Sequence, residues 1–101
     1  MAYAPPAPTP VTPNARVALV TGANSGIGRV TAVALALQGF HVFLACRDAG
    51  KTDAVLREIA ERSGGTARAE FIALDLGDLA SVRQCAQTFI ARDLPLHLLV
   101  N

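Results

Sequence analysis

With 101 residues and 51% hydrophobic side chains, the chain has enough apolar material for one small domain. A net charge of +1, 17% charged residues and singly scattered cations argue against the basic patch or stripe by which proteins bind nucleic acid or an anionic membrane surface. No stretch reads as a membrane span, since the most apolar one, residues 30–46, is interrupted by Gln38, Gly39 and His41 and falls short of the ~20 residues required.

Residues 1–14 carry five of the six prolines (Pro5, Pro6, Pro8, Pro10 and Pro13), a density that forbids helix or central strand and predicts a disordered, solvated arm. No basic residue among the first fifteen supports a proline-motif ligand. Met1 is followed by prolines rather than by the basic region and apolar core of a secretory leader.

Val17, Ala18, Leu19 and Val20 form an uncharged apolar run, as expected of a strand buried on both faces. The run breaks at Thr21-Gly22, and Gly26 and Gly28 follow. A helical pattern then places Ile27, Thr31, Ala34 and Leu37 three or four apart on one face, and Gly39 closes it as a C-terminal cap. Strand, glycine-rich turn and helix together present backbone N–H groups that lack intrahelical partners, where the helix dipole adds partial positive charge. That is an anion site suited to a pyrophosphate. A Walker loop is excluded because Arg29 and Val30 stand where Lys and Ser/Thr are needed.

Residues 41–45 read as a second buried strand, with His41 a structural side chain at its start. Residues 52–63 read as a helix with Val55, Leu56, Ile59 and Ala60 apolar and a solvated charged face; Ser63-Gly64-Gly65 ends it. Residues 69–74 are a third strand. The helix after it has an apolar face of Leu79, Val82, Cys85, Ala86 and Phe89, with Asp78 or Asp75 as its cap and Pro95 as a stop. Residues 96–100 are a fourth strand, in which His97 has a core or strand-edge role. Cys46 and Cys85 match no metal-ligand spacing and read as buried free thiols, in keeping with a reduced, cytoplasmic setting.

Thr21-Gly22-Ala23-Asn24-Ser25-Gly26-Ile27-Gly28, with Leu44-Ala45-Cys46-Arg47 later, resembles the short-chain dehydrogenase/reductase family and most closely its retinol-dehydrogenase-like branch, over about residues 16–101. The resemblance implies an α/β Rossmann-type parallel sheet with helices on both faces, of which the first (βα)3β half is present. The expected strand order is 3-2-1-4, with right-handed crossovers and the ligand at the carboxyl ends of the strands. Gly22, Asn24, Ser25, Gly26, Ile27 and Gly28 would then hold the cofactor's pyrophosphate. An acidic residue at the end of the second strand, about 20 residues past the glycines, would bind the ribose 2′-hydroxyl of NAD. The resemblance puts the neutral Cys46 there, followed by Arg47, whose guanidinium suits the 2′-phosphate of NADP. NADP is therefore expected over NAD, unless Arg47 merely pairs with Asp48 on the surface. Lys51 is either a further phosphate contact or a solvated lysine.

By the same resemblance Asp75 and Leu76 would contact adenine, and Asn101 would be the first residue of an Asn-Asn-Ala-Gly motif. The implied reaction is hydride transfer between NADP(H) and an apolar alcohol or carbonyl compound, carried by a Tyr with a Lys four positions on. Tyr3, the sole tyrosine, has Ala7 at that distance, and Lys51 is the sole lysine. The expectation is thus an amino-terminal piece of an oxidoreductase, inactive by itself, without catalytic or metal-binding residues, whose parent is a possible homo-oligomer. The alternative is a non-catalytic dinucleotide-binding remnant. A bare last strand and unpartnered helix faces would make the piece marginal and prone to associate.

Overall fold

A computed structural model describes residues 10–11 and 14–101. Most of the expected proline-rich arm, with Tyr3, lies outside the described residues. The elements in chain order are β1 (Val17–Thr21), α1 (Gly26–Leu37), β2 (His41–Cys46), α2 (Ala49–Ser63), β3 (Arg68–Ala73), α3 (Leu79–Ala91) and β4 (Leu98–Val100). The strands form one parallel sheet in the order β3-β2-β1-β4, as the resemblance implied.

Burial explains why the two middle strands are β1 and β2. All six residues of β2 and the first four of β1 are buried, so both tolerate a layer on each side. Alternation sorts their side chains. Val20, Val42, Leu44 and Cys46 meet α1 and α2 on one face, through Ala32, Val33, Ala36, Val55 and Ile59. Val17, Leu19, Phe43 and Ala45 meet α3 on the other, through Cys85 and Phe89. Phe43 and Phe89 lie edge to face, with ring centroids 5.1 Å apart. Both cysteines are free and buried, and burial pushes the Cys85 thiol up. No described helix is long and apolar enough to cross a membrane.

Four details depart from the sequence reading. In α1 the buried residues are Ala32, Val33 and Ala36, whereas Ile27, Ala34 and Leu37 are exposed, Ile27 by 86%. The helix is apolar nearly all round, and the stripe of small side chains is the one that lets its backbone settle on the sheet. Second, α2 begins at Ala49 instead of residue 52, because the Asp48 side chain accepts the Lys51 N–H at 3.0 Å and caps it. Third, β3 is shifted one residue towards the N-terminus of the expected range. Fourth, β4 is confined to Leu98–Val100. His97 just precedes it: its N–H donates to Val17 O, and its Nδ1 accepts the Val17 N–H at 2.9 Å, a strand-edge role.

At the amino-terminal end of the sheet, buried His41 hydrogen-bonds Glu70 Oε2 through Nε2 at 2.7 Å. Arg92, the C-cap of α3, grips the same carboxylate with both terminal nitrogens. This network joins β2, β3 and α3, and it bears out the structural reading of His41.

Candidate functional site

The loop from β1 into α1 lies at the carboxyl ends of the strands. Gly22 N–H donates to Ala45 O at 2.9 Å, which anchors the loop to β2. Gly22 and Gly26 have φ of 62° and 57°, in the left-handed region open to glycine. Gly28 is needed for a different reason: a Cβ there would sit 2.3 Å from Gly22 O. The glycines fold the loop back onto the first turn of α1.

Ser25 is the N-cap of α1 by backbone conformation, with φ −159° and ψ 160°, yet its side chain makes no capping bond. The first backbone bond of the helix is donated by Arg29 to Ser25 O. The N–H groups of Gly26, Ile27 and Gly28 precede it and lack intrahelical acceptors, and no acidic side chain lies in that turn. The other two helices differ. Asp48 caps α2, and Asp78 caps α3 by accepting the Ala80 N–H at 3.0 Å. Among the described helices, α1 alone starts without a side-chain acceptor.

Beside this loop a cavity of about 300 Å³ is walled by Gly22, Asn24, Cys46, Arg47, Lys51, Asp75 and Leu76, among others. Three segments far apart in sequence thus converge: the glycine loop, the turn from β2 into α2, and the end of β3. Arg47 is exposed and makes no ion pair with Asp48, whose carboxylate is turned to its own helix. Asp75 does not cap α3. Its Oδ1 accepts the Gly77 N–H at 2.9 Å, and its N–H donates to Ser81 Oγ at 2.8 Å, which shapes the turn that presents Leu76.

The remaining candidates sit apart from this cavity. Gly26 and Ile27 border a groove between α1 and α2, beside the Arg29–Glu58 ion pair. Asn101 lies in an apolar groove of about 350 Å³ with Leu19, Val82, Phe89, Ile90 and Leu99; Thr21 and Leu76 line both that groove and the cavity. Thr21 Oγ1 also reaches Val100 O at 3.4 Å. Ser81, the Thr21 contact to β4 and the capping role of Asp48 were absent from the sequence reading. Asp48 alone carried a signal, an aspartate directly before a helical pattern. Among the described residues no His, Cys, Asp or Glu cluster is arranged for a metal.

A family model described as short chain dehydrogenase matches residues 16–101. Retinol dehydrogenase 11 of Mus musculus is 46% identical over 86 residues, which are 85% of this chain and 27% of that protein. Polyprenol dehydrogenase of Mus musculus is 51% identical over 86 residues, 85% of this chain and 25% of that protein. The chain therefore spans about a quarter of the length of these relatives. Among solved structures, a metagenomic short-chain oxidoreductase in complex with NADP superposes with a TM-score of 0.75 at 36% identity, over 83% of this chain and 37% of that one. Menthone neomenthol reductase from Mentha piperita gives 0.77 at 32% identity, over 87% of this chain and 31% of that one. By sequence and by fold the chain belongs to the short-chain dehydrogenase family.

Proposed function

We propose that the chain binds NADP(H) as the adenosine- and pyrophosphate-holding part of an oxidoreductase acting on an apolar alcohol or carbonyl compound in the cytoplasm. The observation that carries this reading is the glycine loop leading into the uncapped first turn of α1, whose Gly22 and Asn24 share a cavity wall with Arg47. The N–H groups of Gly26, Ile27 and Gly28 would hold the pyrophosphate, with the Asn24 and Ser25 side chains beside it. Gly22 and Gly26 suit that approach, because no atom lies within 4 Å of the point a Cβ would occupy at either. Arg47 would fork onto the 2′-phosphate, and Asp75 and Leu76 would flank the adenine, as in the family pattern. Asn101 would extend the site towards the nicotinamide. Bound NADPH would supply a hydride to a carbonyl compound, and bound NADP+ would accept one from an alcohol.

The names of the relatives, retinol dehydrogenase and polyprenol dehydrogenase, denote long apolar alcohols, the substrate class proposed here. The 101 residues contain no Tyr-x-x-x-Lys, so this stretch binds cofactor and does not itself turn substrate over. The same observation supports a second reading, a non-catalytic dinucleotide-binding protein. The intact mass in the native host separates the two: a mass well above 10.5 kDa favours the enzyme, and a mass matching 101 residues favours the remnant.

Calorimetry tests the cofactor assignment. R47A should weaken NADP about 10- to 100-fold, the range of a charge-assisted contact, and leave NAD nearly unchanged. Equal losses for the two cofactors would refute it.

A further inference from the structure

The chain has two histidines, and they are held differently. Buried His41 meets the Glu70 carboxylate through Nε2, a partner that accepts from a neutral or a charged ring. His97 is exposed, and its Nδ1 lies 2.9 Å from the Val17 N. A backbone amide only donates, so Nδ1 is the acceptor and the ring is the neutral tautomer with its proton on Nε2. The His97 N–H returns a bond to Val17 O at 2.9 Å. These two bonds clamp the start of β4 onto the start of β1.

We infer that this clamp is a proton-sensitive latch, released when His97 takes a proton on Nδ1, which lets β4 leave the sheet. The proton turns the acceptor into a donor aimed at the Val17 N–H, so the bond is lost. Val17 is fully buried, and its N–H then lacks a partner unless β4 moves off and admits water. Little else holds this strand. β4 has three residues and pairs with β1 alone. Its far end has one side-chain bond, from Thr21 Oγ1 to Val100 O at 3.4 Å. Release draws Asn101 away from the apolar groove that it lines with Leu19 and Leu76. A short edge strand of this kind opens without global unfolding.

The surroundings leave the proton to the imidazole. Neither β1 nor β4 carries a titratable side chain. Beside β1, Arg16 donates to Gln38 O and lies over the Phe40 ring. On α3 the titratable side chains are Arg83 and the buried Cys85; at its end Arg92 grips Glu70, and Asp93 follows. Among the described residues no carboxylate forms an ion pair with His97. A latch that needs the neutral ring contributes stability above the imidazole range and loses it as pH falls from about 8 to 5.

The test is amide hydrogen exchange by NMR at Val17 and Leu98–Val100, in the wild type, H97N and H97A, at pH 7.5 and pH 5. Both values lie above the acid range of Glu70, whose carboxyl is held below 4.5. Corrected for intrinsic rates, wild-type protection should fall about tenfold between the two, the scale of one hydrogen bond. Asn places Oδ1 where Nδ1 stood and does not titrate, so H97N should keep the pH 7.5 protection at both values. H97A lacks the acceptor and should match the acidified wild type at both. Because His41 is present in all three chains, the difference between wild type and H97N belongs to His97. Wild-type protection that is the same at both values within about twofold, or an H97N that falls as far as the wild type, would overturn the latch. Neither result depends on whether the chain binds NADP(H).

Discussion

Gly28 is the tightest glycine of the β1–α1 loop, and its substitution separates packing from backbone strain. G28A drives a Cβ to 2.3 Å from the Gly22 carbonyl oxygen, a backbone atom that cannot swing aside. It should cost about 1–3 kcal/mol of stability, the range for overpacking, and abolish NADP binding by opening the loop. G22A meets open space but a φ of 62°, so it should cost the smaller ~1–2 kcal/mol of a left-handed non-glycine residue. Urea unfolding of the two variants checks the order.

Glu70 gives a second prediction at this scale. Burial pushes its carboxyl up, but hydrogen bonds from His41 and Arg92 and the Arg92 charge outweigh that and hold it below its ordinary 4.5. A carboxylate whose folded pKa is depressed contributes stability that is present above the unfolded value and is lost as pH falls through the folded one. The wild type should therefore lose stability below about pH 4.5, and E70Q should flatten that acid limb while costing about 2 kcal/mol at pH 7. Urea midpoints across pH 3–7 read it out, and an unchanged acid limb in E70Q would remove Glu70 as its source.

At the level of elements, the three helices begin differently, and the difference is measurable. Asp48 and Asp78 cap α2 and α3 through side-chain bonds, so D48A and D78A should each cost about 1 kcal/mol. Ser25 makes no such bond at α1, so S25A should change stability by less than about 0.5 kcal/mol. If S25A costs as much as D48A, the uncapped state of α1 is wrong, and with it the argument for a ready phosphate site. Strands show a parallel contrast. β1 and β2 were legible because runs buried on both faces carry no charge; β4 was read too long because Leu96 and His97 continue the apolar pattern without taking up strand geometry.

Over the whole molecule, the two long edges of the sheet are unlike. The β3 edge carries Arg68 and Glu70, whereas the β4 edge is Leu98, Leu99 and Val100, flanked on α3 by an Ile90 that is 75% exposed. Bare apolar edges pair with other chains, and charge on them prevents it. The chain by itself should associate as concentration rises, and the double variant I90K/L99K should shift light scattering towards monomer. Leu99 is 53% exposed and Ile90 more so, and neither charge would enter the core. A wild type that stays monomeric at all concentrations, with a cooperative thermal transition, would contradict this.

Local signals determined the order of elements, the glycine loop, the uncharged central strands and the arginine that ends the second strand. Each depends on residues within a few positions of one another, since a period of 2 or 3.6 and a turn glycine act through the chain itself. Tertiary structure decided the rest. Two stripes of α1 are apolar, and only contact with the sheet chose Ala32, Val33 and Ala36 over Ile27, Ala34 and Leu37. Asp48 could have paired with Arg47 or capped a helix, and the start of α2 settled which. His41, Glu70 and Arg92 joined because β2, β3 and α3 converge at one end of the sheet, and Arg47, Lys51 and Asp75 because the far ends of β2 and β3 meet the start of α2 at the opposite end. Which side chains meet across the sheet depends on packing between distant segments, and no periodicity along one segment records it.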